Sequence, residues 1–226
     1  MKKTICIALA ALMMLSLASC GKKEDAEQGI DYLVLVNKEN KLPDDWEDSL
    51  ETVTVKNSLG DDVEVEKRAY EAYLELKDDL LKKDIHVDLD SARRSVAAQQ
   101  QIWDDFTVKY GEEYTKTYVA VPGFSEHHTG LALDLYLNID GVDVYENEDM
   151  VVYTDIWAEI KDSLSARGFI LRYLEGKEAI TGYGYEPWHI RFVGSKEIAE
   201  EIMNKGITLE EYLGRLPKTD VAPPKE

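Results

Sequence analysis

The sequence predicts an α+β domain, a single compact unit built mainly of antiparallel sheet flanked by helices. Three observations lead there. Stretches with apolar residues every three or four positions are mixed with short runs of period two, without the strict strand–helix rhythm of a doubly wound sheet. No internal repeat and no nucleotide-binding glycine loop interrupts them. Residues 31–216 are also long enough to bury one sizeable core without further support.

Taken in order, residues 1–19 read as an export signal: Lys2 and Lys3 precede an apolar run from Ile5 to Leu17 that is too short for a membrane span and is followed by charge. Leu17-Ala18-Ser19-Cys20 resembles a bacterial lipobox, which implies cleavage before Cys20 and lipid attachment to its sulfur. Residues 20–30 are then the lipidated Cys and a polar, aperiodic tether. Tyr32 to Asn37 is an apolar run of strand length, and Pro43 with its acidic neighbours marks a loop. Thr52 to Lys56 alternates, and Leu59 to Asp62 turns the chain toward Val63 and Val65, which suggests a hairpin. From Glu66 to about Lys83, Ala69, Tyr73, Leu76 and Leu80 line one helical face. Ile85, Val87 and Leu89 alternate with polar residues, which places His86 on the solvent side of a strand.

A second helix follows Ser91, with Val96, Gln99, Trp103, Phe106 and Tyr110 on one face; a Gln in that position requires a buried partner. Asn138 to Asp149 is turn-rich, with Asp140-Gly141 as its turn. Tyr153 to Arg167 is helical, with Thr154 as candidate N-cap and Gly168 as its stop. Phe169 to Tyr173 and Trp188 to Val193 read as strands on either side of a loop that carries Tyr183. Ser195 to Lys205 is a helix ended by Gly206, and Thr208 with Glu211 makes a capping box for a last one. Residues 217–226 read as a disordered tail.

Composition narrows the function. A net charge of −19 argues against nucleic acid as a partner. The only cysteines are Cys6 and Cys20, so no disulfide and no thiolate ligand is expected once the signal is removed. The informative residues are histidines. Three of the four lie in two short motifs, His127 and His128 in PGFSEHHTGLALDLYL (Pro122 to Leu137) and His189 in YEPWHIRF (Tyr185 to Phe192). Two imidazoles and the Asp134 carboxylate suit Zn²⁺ and leave a fourth position open for water, which Glu186 is placed to reach as general base. The chemistry expected of that set is metal-assisted hydrolysis. On a single unbroken strand, His128 rather than His127 would share a face with Asp134, unless Gly130 breaks the register.

At these residues the chain resembles the zinc D-alanyl-D-alanine carboxypeptidases of the VanY type and their L,D-carboxypeptidase relatives. The pattern SxHxxGxAxD is met by Ser125, His127, Gly130, Ala132 and Asp134, ExWH by Glu186, Trp188 and His189, and SxxRSxxxQ by Ser91, Arg94, Ser95 and Gln99. The resemblance extends from about Tyr32 to Leu216 and implies a Hedgehog/DD-peptidase-like fold. It also implies zinc held by His127, Asp134 and His189, with Glu186 as catalytic base and Arg94 stabilising an oxyanion or holding a substrate carboxylate. Gln99, Ser125, Tyr183 and Trp188 are read with it as substrate-binding residues. Family members usually carry Gln where this chain has His128, and often Gly-Tyr where it has Ala92-Arg93. The expected protein is a monomeric, extracytoplasmic enzyme, lipid-anchored to the bacterial membrane at Cys20, that removes a C-terminal D-alanine from peptidoglycan stem peptides. The competing expectation is a non-catalytic, zinc-containing lipoprotein that binds the cell wall.

Overall fold

A computed structural model describes residues 29–217. The export signal, Cys20, most of the tether and the tail beyond Pro217 lie outside the described residues. A two-stranded hairpin, β1 (Thr52–Lys56) and β2 (Asp62–Glu66), leads into α1 (Lys67–Leu81), whose first turn is capped by the Glu66 carboxylate accepting from the Ala69 amide. Helix α1 buries Ala69, Tyr73, Leu76 and Leu80, the face that its period predicts. Strand β3 (His86–Ser91) follows, with His86 exposed, and then α2 (Val96–Tyr110) and α3 (Glu112–Tyr118).

The main sheet is completed by β4 (Ala132–Ile139), β5 (Val142–Val144), β6 (Phe169–Leu171) and β7 (His189–Phe192), in the order β3-β4-β7-β6, all antiparallel. One edge of β4 pairs with β3, and the other is shared between β7 and β5. The short helix α4 (Asn147–Met150) and α5 (Thr154–Leu164) connect β5 to β6, α6 (Glu178–Thr181) lies between β6 and β7, and α7 (Lys196–Lys205) and α8 (Leu209–Leu213) close the fold.

The register of β4 on β7 organises the molecule. Leu133 faces Ile190 and Asp134 faces His189 across the ladder, so the apolar pair and the polar pair lie on opposite faces of the sheet. The apolar face, with Leu133, Leu135, Leu137, Ile190 and Phe192, packs against Tyr73, Leu76 and Leu80 of α1 and Trp157, Ile160 and Leu164 of α5. The opposite face is covered at its β6 end by a smaller cluster of Leu35, Ile170, Val193, Ala199, Ile202 and Leu209. Beyond that cover, around Asp134 and His189, the face carries polar groups.

Several expectations need correction. Tyr32 to Asn37 buries Val34, Leu35 and Val36 but forms no strand, because the carbonyls of Tyr32 and Val34 accept from the Arg191 guanidinium rather than from a neighbouring strand. Of the expected apolar face of α2 only Gln99 is buried; Val96 and Tyr110 are 46 % exposed, because α2 packs chiefly on α3 and away from the main core. Thr154 is the first helical residue of α5 and not its cap. Strand β6 stops at Leu171, two residues short of Tyr173, and the loop after it contains α6.

Candidate metal centre and active site

His127 and His128 do not belong to the strand that carries Asp134. They sit in a 3-10 turn, Glu126–Thr129, ended by Gly130 at φ +73. A Cβ at Gly130 would stand 3.2 Å from the Glu66 amide nitrogen, and that amide donates to the Gly130 carbonyl, so both the dihedral and the close approach require glycine. The break removes the period-two relation and turns His127 toward β4. Its Nδ1–H donates to the Ala92 carbonyl at 2.7 Å, leaving Nε2 free to face Asp134 Oδ2 at 3.2 Å. His128 is buried and turned away. Its Nε2 accepts from the Gly123 amide at 3.0 Å, so Nδ1 carries the proton and donates to the Arg94 carbonyl at 2.6 Å. Both ring nitrogens are thereby used by the backbone.

Asp134 and His189 meet because the β4–β7 register sets them opposite each other. Asp134 Oδ1 lies 2.8 Å from Nδ1 of His189, and Oδ2 accepts from Ser91 Oγ at 3.0 Å. On its other side, His189 presents Nε2 to Glu126 Oε2 at 3.2 Å, and its ring packs 4.7 Å from that of Tyr173. Burial lowers the pKa of His189, but the carboxylates of Asp134 and Glu126 outweigh this and push it up to about 10. Burial likewise works against the charge of Asp134, and the two imidazoles hold its carboxyl well below the usual carboxylate range.

The ligating atoms of His127, Asp134 and His189 all lie within 4.8 Å of one another. Asp134 Oδ1 is buried and, although 2.8 Å from His189 Nδ1, has no hydrogen bond of good geometry, an uncommon condition for a carboxylate oxygen. Two imidazole nitrogens and one orphaned carboxylate oxygen converging on one point fit a zinc ion.

Glu186 approaches from the loop before β7, with Oε2 3.9 Å from His189 Nδ1 and a side chain that is 30 % exposed. Burial pushes its carboxyl up to about 7, against the opposing influence of His189 and with that of Asp134 and Glu126. Arg94 follows β3, and its Nη1 donates to Gln99 Oε1 at 2.9 Å. The partner of buried Gln99 is thus Arg94, together with the Ala120 carbonyl that accepts from its Nε2 at 2.8 Å. Ser125 is buried at the start of the 3-10 turn. Tyr183 stacks on Tyr173 with ring centroids 4.8 Å apart and carries the Lys38 ammonium 4.7 Å from its own centroid. Trp188 is half-buried against the main core.

Sequence reasoning missed the polar structure behind His189. Glu126, Arg172, Arg191 and Glu210 are fully or almost fully buried. Glu126 Oε1 accepts from Arg172 Nε at 2.8 Å and from Arg191 Nη1 at 2.6 Å, and Arg172 also reaches both oxygens of Glu210 at 2.9 and 2.7 Å. Burial opposes the Glu126 charge, but the two guanidinium groups hold its carboxyl far below the ordinary range. The available signal was an arginine inside each of two short apolar runs, FILRY and HIRF, since a charge in such a run needs a buried counter-charge.

A small α+β domain in which two histidines, an aspartate and a nearby glutamate converge is the architecture of a candidate metal-dependent hydrolase. The family model described as VanY, D-alanyl-D-alanine carboxypeptidase, matches residues 62–195, from β2 to the N-cap of α7. The chain belongs to that family. It is 34% identical over 200 residues to a D-alanyl-D-alanine carboxypeptidase of Enterococcus faecalis, covering 84% of this chain and 69% of the relative. Among solved structures it is similar to VanYB in complex with D-alanine-D-alanine, at 33% identity and TM-score 0.63 over 81% of this chain and 97% of that one. A VanY D,D-pentapeptidase variant in complex with Zn(II) is 32% identical with TM-score 0.63, covering 80% of this chain and 98% of that one. The LdcB LD-carboxypeptidase is 34% identical with TM-score 0.67 over 83% of this chain and 87% of its own.

Proposed function

We propose that this protein is a zinc-dependent carboxypeptidase that removes a C-terminal D-alanine from peptidoglycan stem peptides. The observation that carries the reading is the convergence of His127 Nε2, Asp134 and His189 Nδ1 beside the Glu186 carboxylate. His127, Asp134 and His189 would hold the ion, which when bound supplies Lewis acidity toward the scissile carbonyl and a lowered pKa for water. Glu186, whose Oε2 stands 3.9 Å from His189 Nδ1, takes a proton from the attacking water and returns it to the nitrogen of the departing alanine. Arg94, fixed by Gln99, presents a permanent cation to the substrate carboxylate or the developing oxyanion. Ser125, Tyr183 and Trp188 complete the proposed substrate contacts.

The deciding experiment is mass spectrometry of muropeptides with tetrapeptide and pentapeptide stems, incubated with the zinc-loaded protein and with a chelated control. Loss of one alanine from the pentapeptide assigns D,D-carboxypeptidase activity, and loss from the tetrapeptide assigns L,D-carboxypeptidase activity. No loss from either by a protein shown to contain zinc would favour a wall-binding lipoprotein without turnover.

The lipobox-like Leu17 to Cys20 supports an extracytoplasmic location on a lipid anchor. Cys20→Ser is expected to move the protein out of the membrane fraction; retention there would remove the anchor from the proposal.

A further inference from the structure

The zinc reading above leaves Glu126 without a role, although it is the most heavily partnered carboxylate beside the site. Its Oε1 is occupied by two guanidinium groups, and its Oε2 is directed at His189 Nε2 at 3.2 Å. The supports are themselves fixed. Arg191 Nη2 donates to the carbonyls of Tyr32 and Val34, and Arg172 grips Glu210, which accepts from Asn37 Nδ2 at 3.1 Å. Two arginines and two glutamates make a neutral buried quartet, and of its four charged side chains only Glu126, through Oε2, hydrogen-bonds the His189 ring.

We propose that Glu126 is a positioning residue that fixes the tautomer and ring direction of His189. A carboxylate can only accept, so in the neutral ring that would bind a metal ion it holds the remaining proton on Nε2 and leaves Nδ1, on the side of Asp134 and His127, as the ligating atom. The inference rests on the zinc reading of the site and adds to it a reason for Nδ1, rather than Nε2, to be the ligating atom.

The near-isosteric Glu126→Gln separates this role from simple charge balance. A glutamine must point its oxygen toward Arg172 and Arg191, because its NH₂ group against two guanidinium groups would set donors against donors. The NH₂ group then faces His189 and requires an acceptor at Nε2, which moves the proton to Nδ1, the side that should bind metal. Glu210→Gln removes the same unit of charge from the same quartet but touches Arg172 and Asn37, not His189.

The test is zinc affinity by chelator competition for the wild type, Glu126→Gln and Glu210→Gln, with ¹⁵N spectra of the histidine rings in the zinc-loaded wild type. The expected result is an affinity lowered about 10–100-fold in Glu126→Gln and unchanged in Glu210→Gln. In the spectra, His189 Nε2 should carry the proton while Nδ1 ligates. Equal losses in the two variants would reduce Glu126 to a structural charge and overturn the proposal. So would a wild-type spectrum with Nε2 ligating, which decides the matter even if a variant does not fold. A wild type that binds no zinc would overturn the underlying reading and this inference with it, an outcome distinct from normal zinc binding that is indifferent to Glu126.

Discussion

Replacement of Glu186 by alanine is expected to leave zinc content at the wild-type level while lowering kcat by about 10²–10⁴-fold, the range contributed by a positioned general base. The expectation follows from placement. Glu186 Oε2 stands 3.9 Å from His189 Nδ1, near the converging ligand atoms, but Glu186 is not one of the three residues that form the cluster. Its side chain is partly open to solvent, which leaves room for a water and a peptide carbonyl to meet it. Zinc per protein, measured by elemental analysis, and turnover of a stem pentapeptide give the two readouts. A native rate in Glu186→Ala would withdraw the assignment of the base, whereas loss of zinc together with activity would make Glu186 a ligand.

The second large effect separates two adjacent histidines. His127→Ala should lose zinc and activity together, because Nε2 of His127 faces Asp134 at 3.2 Å. His128→Ala should keep its zinc. The cost there is structural, since the variant leaves the Gly123 amide and the Arg94 carbonyl without their partner, about 1–3 kcal/mol for each group that stays buried and unpaired. Thermal unfolding of the metal-free proteins measures that loss. The reverse pattern, with zinc lost from His128→Ala and kept in His127→Ala, would exchange the two roles. His128 also ties Gly123 to Arg94, which makes it a strut between the loop before the 3-10 turn and the residue proposed to hold substrate.

Much of this architecture was legible in the chain because local patterns carried it. The faces of α1 and α5, the β1–β2 hairpin, the capping box at Thr208 and the stop at Gly168 all depend on residues within one or two turns of one another. The choice between His127 and His128 could not be made from periodicity, since it depends on a 3-10 turn ended by Gly130, which interrupts the alternation between His127 and Asp134. The family motif named His127 where spacing favoured His128, and the geometry turns His127 toward Asp134. The run from Tyr32 to Asn37 has strand composition, but its carbonyls are taken by an arginine whose partners lie far away in sequence. The same distance hid the role of Glu126. Nothing near Ser125 or His127 indicates that the residue between them will meet Arg172 and Arg191.

Those long separations bear on when the enzyme comes into being. The bond from Arg191 to Tyr32 spans 159 residues, and that from Asn37 to Glu210 spans 173, so the backing of His189 closes very long loops. Contacts of such range form late, because the entropy of closing the loop is lost before the contact returns anything. A chain that ends before α8 contains His127, Asp134 and His189. It would lack Glu210, and with it the full set of partners that keeps Arg172 against Glu126. The bonds that back His189 are therefore tied to the presence of nearly the whole described chain, from Tyr32 to Glu210.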